Sequence, residues 1–160
     1  MVEPQVKIRR ATSNDLPILG SYGAKLARQH YGYDPQRFML FEPVEAEYAR
    51  FYGEQLSRED AAILVAELDG EVVGYAFVRV EPESSLDLLA VAAWLHDVYV
   101  DESARGWGVG MLLIDATLEE ARTRGSSSVM LVVAAQNEGA RRLFERRGFR
   151  LTMQEMRMEL

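Results

Sequence analysis

Three glycines at alternate positions, Gly106, Gly108 and Gly110, stand in the run Arg105-Gly106-Trp107-Gly108-Val109-Gly110-Met111. Upstream lies Val98-Tyr99-Val100, a run of strand formers followed by a short acidic stretch. Downstream, Leu112 and Leu113 continue into a helical pattern. A strand, a glycine-rich turn and a helix start in that order can cradle an anion. Glycine has no Cβ, so the backbone can approach a ligand closely. The free N–H groups of the first helical turn point at that ligand, and the macrodipole favours negative charge. A diphosphate is the natural occupant; a glycine-rich turn without a ligand is the alternative. Two common diphosphate loops do not fit. A nucleoside-triphosphate loop needs G-x-x-x-x-G-K-[ST], and no lysine follows here. A dinucleotide fingerprint needs G-x-G-x-x-G early in a βαβ unit. Here the spacing is G-x-G-x-G, about two-thirds of the way along the chain.

Arg105, Gly108 and Gly110 do meet a third pattern, Arg-x-x-Gly-x-Gly, after a strand ending in Tyr-Val-Asp. A second run follows: Asn137-Glu138-Gly139-Ala140-Arg141-Arg142-Leu143-Phe144-Glu145-Arg146-Arg147-Gly148-Phe149, of the form N-x-x-A-x-x-L-[YF]-x-x-x-G-F. In this order the two motifs resemble those of the Gcn5-related N-acetyltransferase (GNAT) superfamily. The resemblance implies that Arg105, Gly106, Trp107, Gly108, Val109, Gly110 and Met111 hold the pyrophosphate of acetyl-coenzyme A. It implies that the backbone of Val98, Tyr99 and Val100 pairs with the pantetheine arm like an added strand. Asn137 would hydrogen-bond the pantetheine amides, with Ala140 and Phe144 beside the arm and thiol. Ala140, Leu143 and Phe144 share one helix face, a spacing that plain core also produces. Gly148 suits a left-handed C-terminal cap.

That resemblance implies acetyl transfer to a primary amine, by direct attack in a ternary complex. The amine must be neutral to attack, and a free alkylamine has a pKa of about 10.4, so a base is required. His96 is the candidate base, on the strand that feeds the glycine loop, where relatives often carry a glutamate. Strand alternation groups it with Trp94, Val98 and Val100 on one face, and puts Asp97 and Tyr99 on the other. A half-buried structural histidine, with an ordered water as base, is the competing reading. Asp97 reads as structural. His30, beside Tyr31 and Tyr33, reads as a lining residue of the acceptor pocket or as a helix-end cation. Many relatives protonate the leaving thiolate with a tyrosine whose motif position holds Phe144 here, which has no proton to give. Tyr75 and Tyr99 are other phenols on neighbouring strands. Without an acid, the thiolate leaves unassisted. A catalytically weak acyl-coenzyme A binder or sensor is therefore the alternative function.

The elements that must position these residues follow from periodicity and punctuation. A strand is expected over 6–10 and a helix from Thr12-Ser13-Asn14-Asp15 with Pro17 to about residue 30, weakened by Gly20 and Gly23. Residues 31–35 read as a loop, and 43–56 repeat apolar residues at helical spacing. Strands at 62–68 and 71–80 join at Asp69-Gly70, a hairpin signal. A long strand over 89–100, a helix over 109–124 closed by Gly125, a strand over 129–134 and a helix over 137–147 follow. Residues 152–160 alternate with Met156, Met158 and Leu160 on one face, which predicts a last strand. The order β-α-α-β-β-β-α-β-α-β predicts an α/β (α+β) fold: a mixed, mostly antiparallel sheet with helices on both faces. Residues 1–160 form one N-acetyltransferase domain in this reading. The stretch 28–43 carries no family signature.

Composition narrows the class further. The chain has no cysteine, which excludes disulfides, thiolate metal sites and a cysteine nucleophile. Two histidines make a histidine-rich metal site improbable, so no metal is expected. Residues 1–7 lack an apolar leader and the longest apolar run, 88–95, falls far short of a membrane span. A cytoplasmic enzyme is expected. The net charge of −7 speaks against nucleic acid and anionic membranes and leans toward a cationic acceptor, a small-molecule amine or a peptide amine. The arginines at 141, 142, 146, 147 and 150 read as a solvated helix face or as partners for coenzyme A phosphates. The alternating C-terminal stretch is compatible with a homodimer.

Overall fold

The computed structural model describes residues 5–160; residues 1–4, within the stretch read as lacking a leader, lie outside them. Five strands form one sheet in the order β1-β2-β3-β4-β5: β1 Val6–Arg10, β2 Ala61–Leu68, β3 Glu71–Glu81, β4 Ala92–Val100 and β5 Val129–Met130. The first four pair antiparallel and β5 runs parallel to β4. In the middle of the sheet, β2 buries its first six residues on both faces, which explains its continuous apolar run in place of alternation. Asp69 and Gly70 both take left-handed φ angles, 52° and 84°, as the two-residue hairpin demands.

Helices α1 (Leu16–Tyr33) and α2 (Val44–Gln55) cover one face, where Leu19, Tyr22 and Tyr52 pack on Ile63, Val65, Tyr75, Phe77 and Tyr99. Helices α3 (Val109–Thr123) and α4 (Glu138–Arg147) cover the other, where Leu113, Ile114 and Phe144 meet Leu64, Ala66, Ala76 and Leu95. The mixed sheet with helices on both faces is the architecture expected. The helix start read at residues 12–15 is a 3-10 turn, Ser13–Asp15, that leads into α1, and the Asp15 carboxylate accepts from the Thr12 backbone N–H at 2.7 Å.

Gly20 and Gly23 weaken α1 as an isolated helix but let it lie against α2. A Cβ at Gly20 would stand 2.6 Å from the Glu45 carbonyl oxygen, and one at Gly23 would stand 2.7 Å from the Tyr48 ring. Packing thus carries the helix through both glycines and on to Tyr33. Gly23→Val is expected to destabilise the fold by about 1–3 kcal/mol, as overpacked sites do, read as a lowered denaturation midpoint. A wild-type midpoint would mean that α1 and α2 do not pack this closely.

Beyond one-residue shifts at element ends, four stretches differ from the sequence reading. The helix α1 runs three residues past residue 30 before Asp34 ends it. Strand β4 begins at Ala92 and not at residue 89, because residues 84 and 89 are held in an isolated bridge of their own. Strand β5 is two residues long and not six, because the chain leaves β4 after Met130. Residues 152–160 form no strand: their alternation is real, but no strand among the described residues pairs with them, and they are exposed. No helix among the described residues is long and apolar enough to cross a membrane.

Candidate active site

The early departure of β5 opens the sheet. Strand β4 pairs with β3 along its whole length, but with β5 only at Ala93–Val129 and Trp94–Met130. From His96 to Val100 its far edge has no strand neighbour among the described residues. The stretch Val98 to Val100 therefore turns a free strand edge toward a gap, a template for an added extended chain. The side chains of Val98 and Val100 pack on the α3 side of the sheet and Tyr99 on the α1 side.

The gap leads to the glycine loop. The Asp101 carboxylate accepts from the Ser103 N–H at 3.2 Å and shapes a single 3-10 turn, Glu102–Ala104. Gly106 and Gly108 then take φ of 84° and 76°, with nothing within 4 Å of where a Cβ would stand. Their requirement for glycine is conformational. The first backbone bond of α3 runs from Leu112 N–H to the Gly108 carbonyl at 3.1 Å. The N–H groups of Val109, Gly110 and Met111 therefore have no helical acceptor. No acidic residue sits in this first turn. Gly110 serves another purpose: a Cβ there would press on Leu143 at 3.1 Å, so it lets α4 approach α3. The Arg105 Nε donates to the Val100 carbonyl at 3.2 Å, and Trp107 is exposed at the loop tip.

Asn137 caps α4, its Oδ1 accepting from the Ala140 N–H at 3.2 Å. Its side-chain NH2 has no protein acceptor among the described residues. Phe144 is buried, edge-on to Phe149 at 5.8 Å, and belongs to the core between sheet and helices. Ala140 and Leu143 lie partly buried against the same core. Gly148, with φ 107°, ends α4 as expected.

The alternation read for β4 breaks at His96. Asp97 sits opposite Phe77 and Leu95 opposite Val78, so His96 is an extra residue in a bulge. A bulge re-aims side chains. The His96 ring stacks on Phe77 at 5.2 Å, which places it on the α1–α2 side together with Asp97, and not with Val98 and Val100. Its Nε2 lies 2.8 Å from Glu81 Oε1, and the same oxygen accepts from Arg79 Nε at 2.7 Å. Burial alone would raise the Glu81 carboxyl. Hydrogen bonds from Arg79 and His96 outweigh that, and its pKa falls below the ordinary value.

Asp97 accepts from the Tyr52 hydroxyl at 2.9 Å, and Tyr52 lies 2.7 Å from the Tyr75 hydroxyl. With Tyr52's one proton given to Asp97, Tyr75 must donate to Tyr52. Burial, and then the charge of Asp97, push both phenols well above the usual range. Burial also raises Asp97, against the opposing effects of the Tyr52 bond and of His96 and His30. Tyr75 is fully buried and Tyr99 nearly so, against Tyr22 at 4.9 Å. His30 is tied by Nδ1 to the Leu26 carbonyl at 2.8 Å and packed on Phe38.

This geometry has relatives. Residues 27–149 match the model of the Acetyltransferase (GNAT) family. The chain belongs to the GNAT family. It is 31% identical over 143 residues to an uncharacterized N-acetyltransferase of Methanocaldococcus jannaschii, covering 89% of this chain and 59% of that protein. It is 33% identical over 105 residues to an N-alpha-acetyltransferase of Sulfurisphaera tokodaii, covering 62% of this chain and 63% of that one. The chain thus spans less than two-thirds of either relative. Its fold superposes on a predicted acetyltransferase from Clostridium acetobutylicum solved with acetyl-CoA, with TM-score 0.74, 18% identity, and coverage of 97% and 96%.

Within this GNAT chain, β4 leads directly into the 105–111 loop, and α4 packs on α3 where Gly110 faces Leu143. Phe144 lies in the core. Sequence reasoning did not single out Glu81, fifteen residues from His96 across a strand pair. The signal is tertiary: Glu81 on β3 meets His96 on β4, and Asp97 meets Tyr52 on α2.

Proposed function

We propose that the chain transfers the acetyl group of acetyl-coenzyme A to a primary amine, by direct attack in a ternary complex in the cytoplasm. The observation that carries this reading is the open edge of β4 running straight into an anion cradle. An extended arm fits the first and a diphosphate the second. In this reading Arg105, Gly106, Trp107, Gly108, Val109, Gly110 and Met111 take the pyrophosphate. Val98, Tyr99 and Val100 pair with the pantetheine arm, and the Asn137 NH2 donates to one of its amide carbonyls. Ala140 lines the arm.

Bound acetyl-coenzyme A supplies a thioester: the amine nitrogen bonds to its carbonyl carbon as the C–S bond breaks and the thiolate leaves. His96 takes the first proton, from the alkylammonium, so that a neutral nitrogen attacks. Glu81 accepts from His96 Nε2, leaving Nδ1 to accept that proton. Backbone N–H groups on the β4 edge stabilise the developing oxyanion. The second ammonium proton goes to the thiolate, directly or through water, because Phe144 has none to give.

The absence of a phenol at position 144 is also what favours the second reading, a weakly catalytic acyl-coenzyme A sensor. A thiol-release assay with acetyl-coenzyme A and a panel of amines and peptides separates the two. Acceptor-dependent release supports the transferase; tight binding with no release overturns it in favour of the sensor.

We also propose a homodimer. Leu151, Met153, Met156, Met158 and Leu160 are more than two-thirds exposed, and Val132 beside the β5 edge is 84% exposed. A run of exposed apolar side chains along one segment is a candidate interface. Light scattering is expected to give twice the chain mass, and Met156→Lys with Met158→Lys to return it to one. A wild-type monomer at micromolar concentration would refute the dimer.

A further inference from the structure

Asp97 has no cation, in contrast to four other buried or partly buried carboxylates. Asp15 and Glu67 share Arg9, Glu120 bonds Arg10 and Arg124, and Glu81 bonds Arg79. Among the described residues no lysine or arginine lies within ion-pair distance of Asp97, whose only hydrogen bond comes from Tyr52 to Oδ2. Its other oxygen is unpartnered, and the residue remains partly open to solvent. A carboxylate held in protein without a counter-ion is costly, and such groups cluster at functional sites. The imidazoles whose field reaches Asp97 are His96 and His30, and His96 is already bonded to Glu81. Around Asp97 stand aromatic rings: Tyr52, Phe77 opposite it in register, and Tyr48 at 5.7 Å from Tyr52. Carboxylate and aromatic faces together suit an organic cation.

We propose that Asp97 binds a cationic group of the acceptor other than the nitrogen that is acetylated, so that the acceptor is a short alkyl diamine or an equivalent dication. The two roles cannot fall on one nitrogen. An ammonium paired with a carboxylate is stabilised in its protonated form and does not attack. The group placed to accept the reacting proton is His96, one residue along β4. A fixed anion at Asp97 likewise repels acceptors that carry a carboxylate or phosphate there. This inference rests on the transferase reading only for the fate of the second nitrogen; the cation subsite can be measured by itself.

The test compares 1,4-diaminobutane, 4-aminobutan-1-ol and 4-aminobutanoate, which differ only at one end. Each is titrated calorimetrically into protein saturated with coenzyme A, and each is then assayed for thiol release with acetyl-coenzyme A. The diamine is expected to bind about ten- to a hundredfold more tightly than the amino alcohol, the range of a charge-assisted hydrogen bond. The amino acid is expected to bind least. In Asp97→Asn the preference disappears while acetyl-coenzyme A affinity is unchanged. Equal affinities in the wild type, including no binding of any of the three, overturn the subsite whether or not the variant folds. A preference that persists in Asp97→Asn also overturns it. Diamine preference without thiol release supports the subsite and overturns the transferase reading.

Discussion

Gly108→Glu is expected to weaken acetyl-coenzyme A binding at least about a hundredfold while leaving the protein folded. Two effects add. Gly108 holds φ 76°, and a residue with a Cβ pays about 1–2 kcal/mol to do so. That strain alone reshapes the turn that aims the N–H groups of Val109, Gly110 and Met111. The larger effect is charge. A carboxylate placed where a diphosphate docks, about 4–5 Å away, costs roughly 3–4 kcal/mol at an effective dielectric of 20. A hundredfold loss needs only about 2.7 kcal/mol. Among the described residues, none beyond its chain neighbours lies within 4 Å of the new Cβ, so the fold has no steric reason to fail. Gly108→Ala isolates the first effect and is expected to lose much less. Gly110→Glu is the contrasting case: it strikes Leu143 and is expected to lower stability as well as binding. Calorimetric titration with a parallel thermal melt reads all three. Wild-type affinity in a folded Gly108→Glu protein means that the loop is not the diphosphate site.

What could be read from the sequence was what is local. The hairpin at Asp69-Gly70, the glycine loop and the capped run from Asn137 to Gly148 each depend on a few successive residues, and each stands where the spacing put it. Glycine was legible as a position but not as a reason. Gly106 and Gly108 answer to φ, while Gly110, in the same motif, answers to Leu143 on another helix. What needed strand register was not legible. Counting alternate residues along β4 assumes an unbroken pleat, and the bulge at His96 breaks it. The reading therefore put His96 and Asp97 on opposite faces when they share one. Pairing was hidden for the same reason in two other stretches: residues 131–134 and 152–160 have strand-like composition, but a strand exists only beside a partner.

His96→Ala is expected to lower turnover about 10²- to 10⁴-fold, the usual contribution of a positioned base, with acetyl-coenzyme A affinity unchanged. The bulge supplies the geometry: it turns the imidazole onto Phe77 on the α1–α2 side, where the ring is one-third exposed and its Nε2 meets Glu81 at 2.8 Å. Arg79 holds the same Glu81 oxygen, and Gln55 in turn accepts from Arg79 at 3.3 Å. Against burial, hydrogen bonds from Arg79 and His96 lower the pKa of Glu81, so it remains an anion as pH falls toward the carboxylate range and keeps its hold on His96 Nε2. Glu81→Gln weakens the contact that fixes the imidazole and is expected to lower kcat, with KM for the acceptor little changed. A purely structural Glu81 would lower stability and leave kcat of the folded protein where it was. Added imidazole is expected to restore part of the rate of His96→Ala. If the wild-type and His96→Ala profiles coincide at every pH, His96 is not the base, and an ordered water on the β4 edge takes its place.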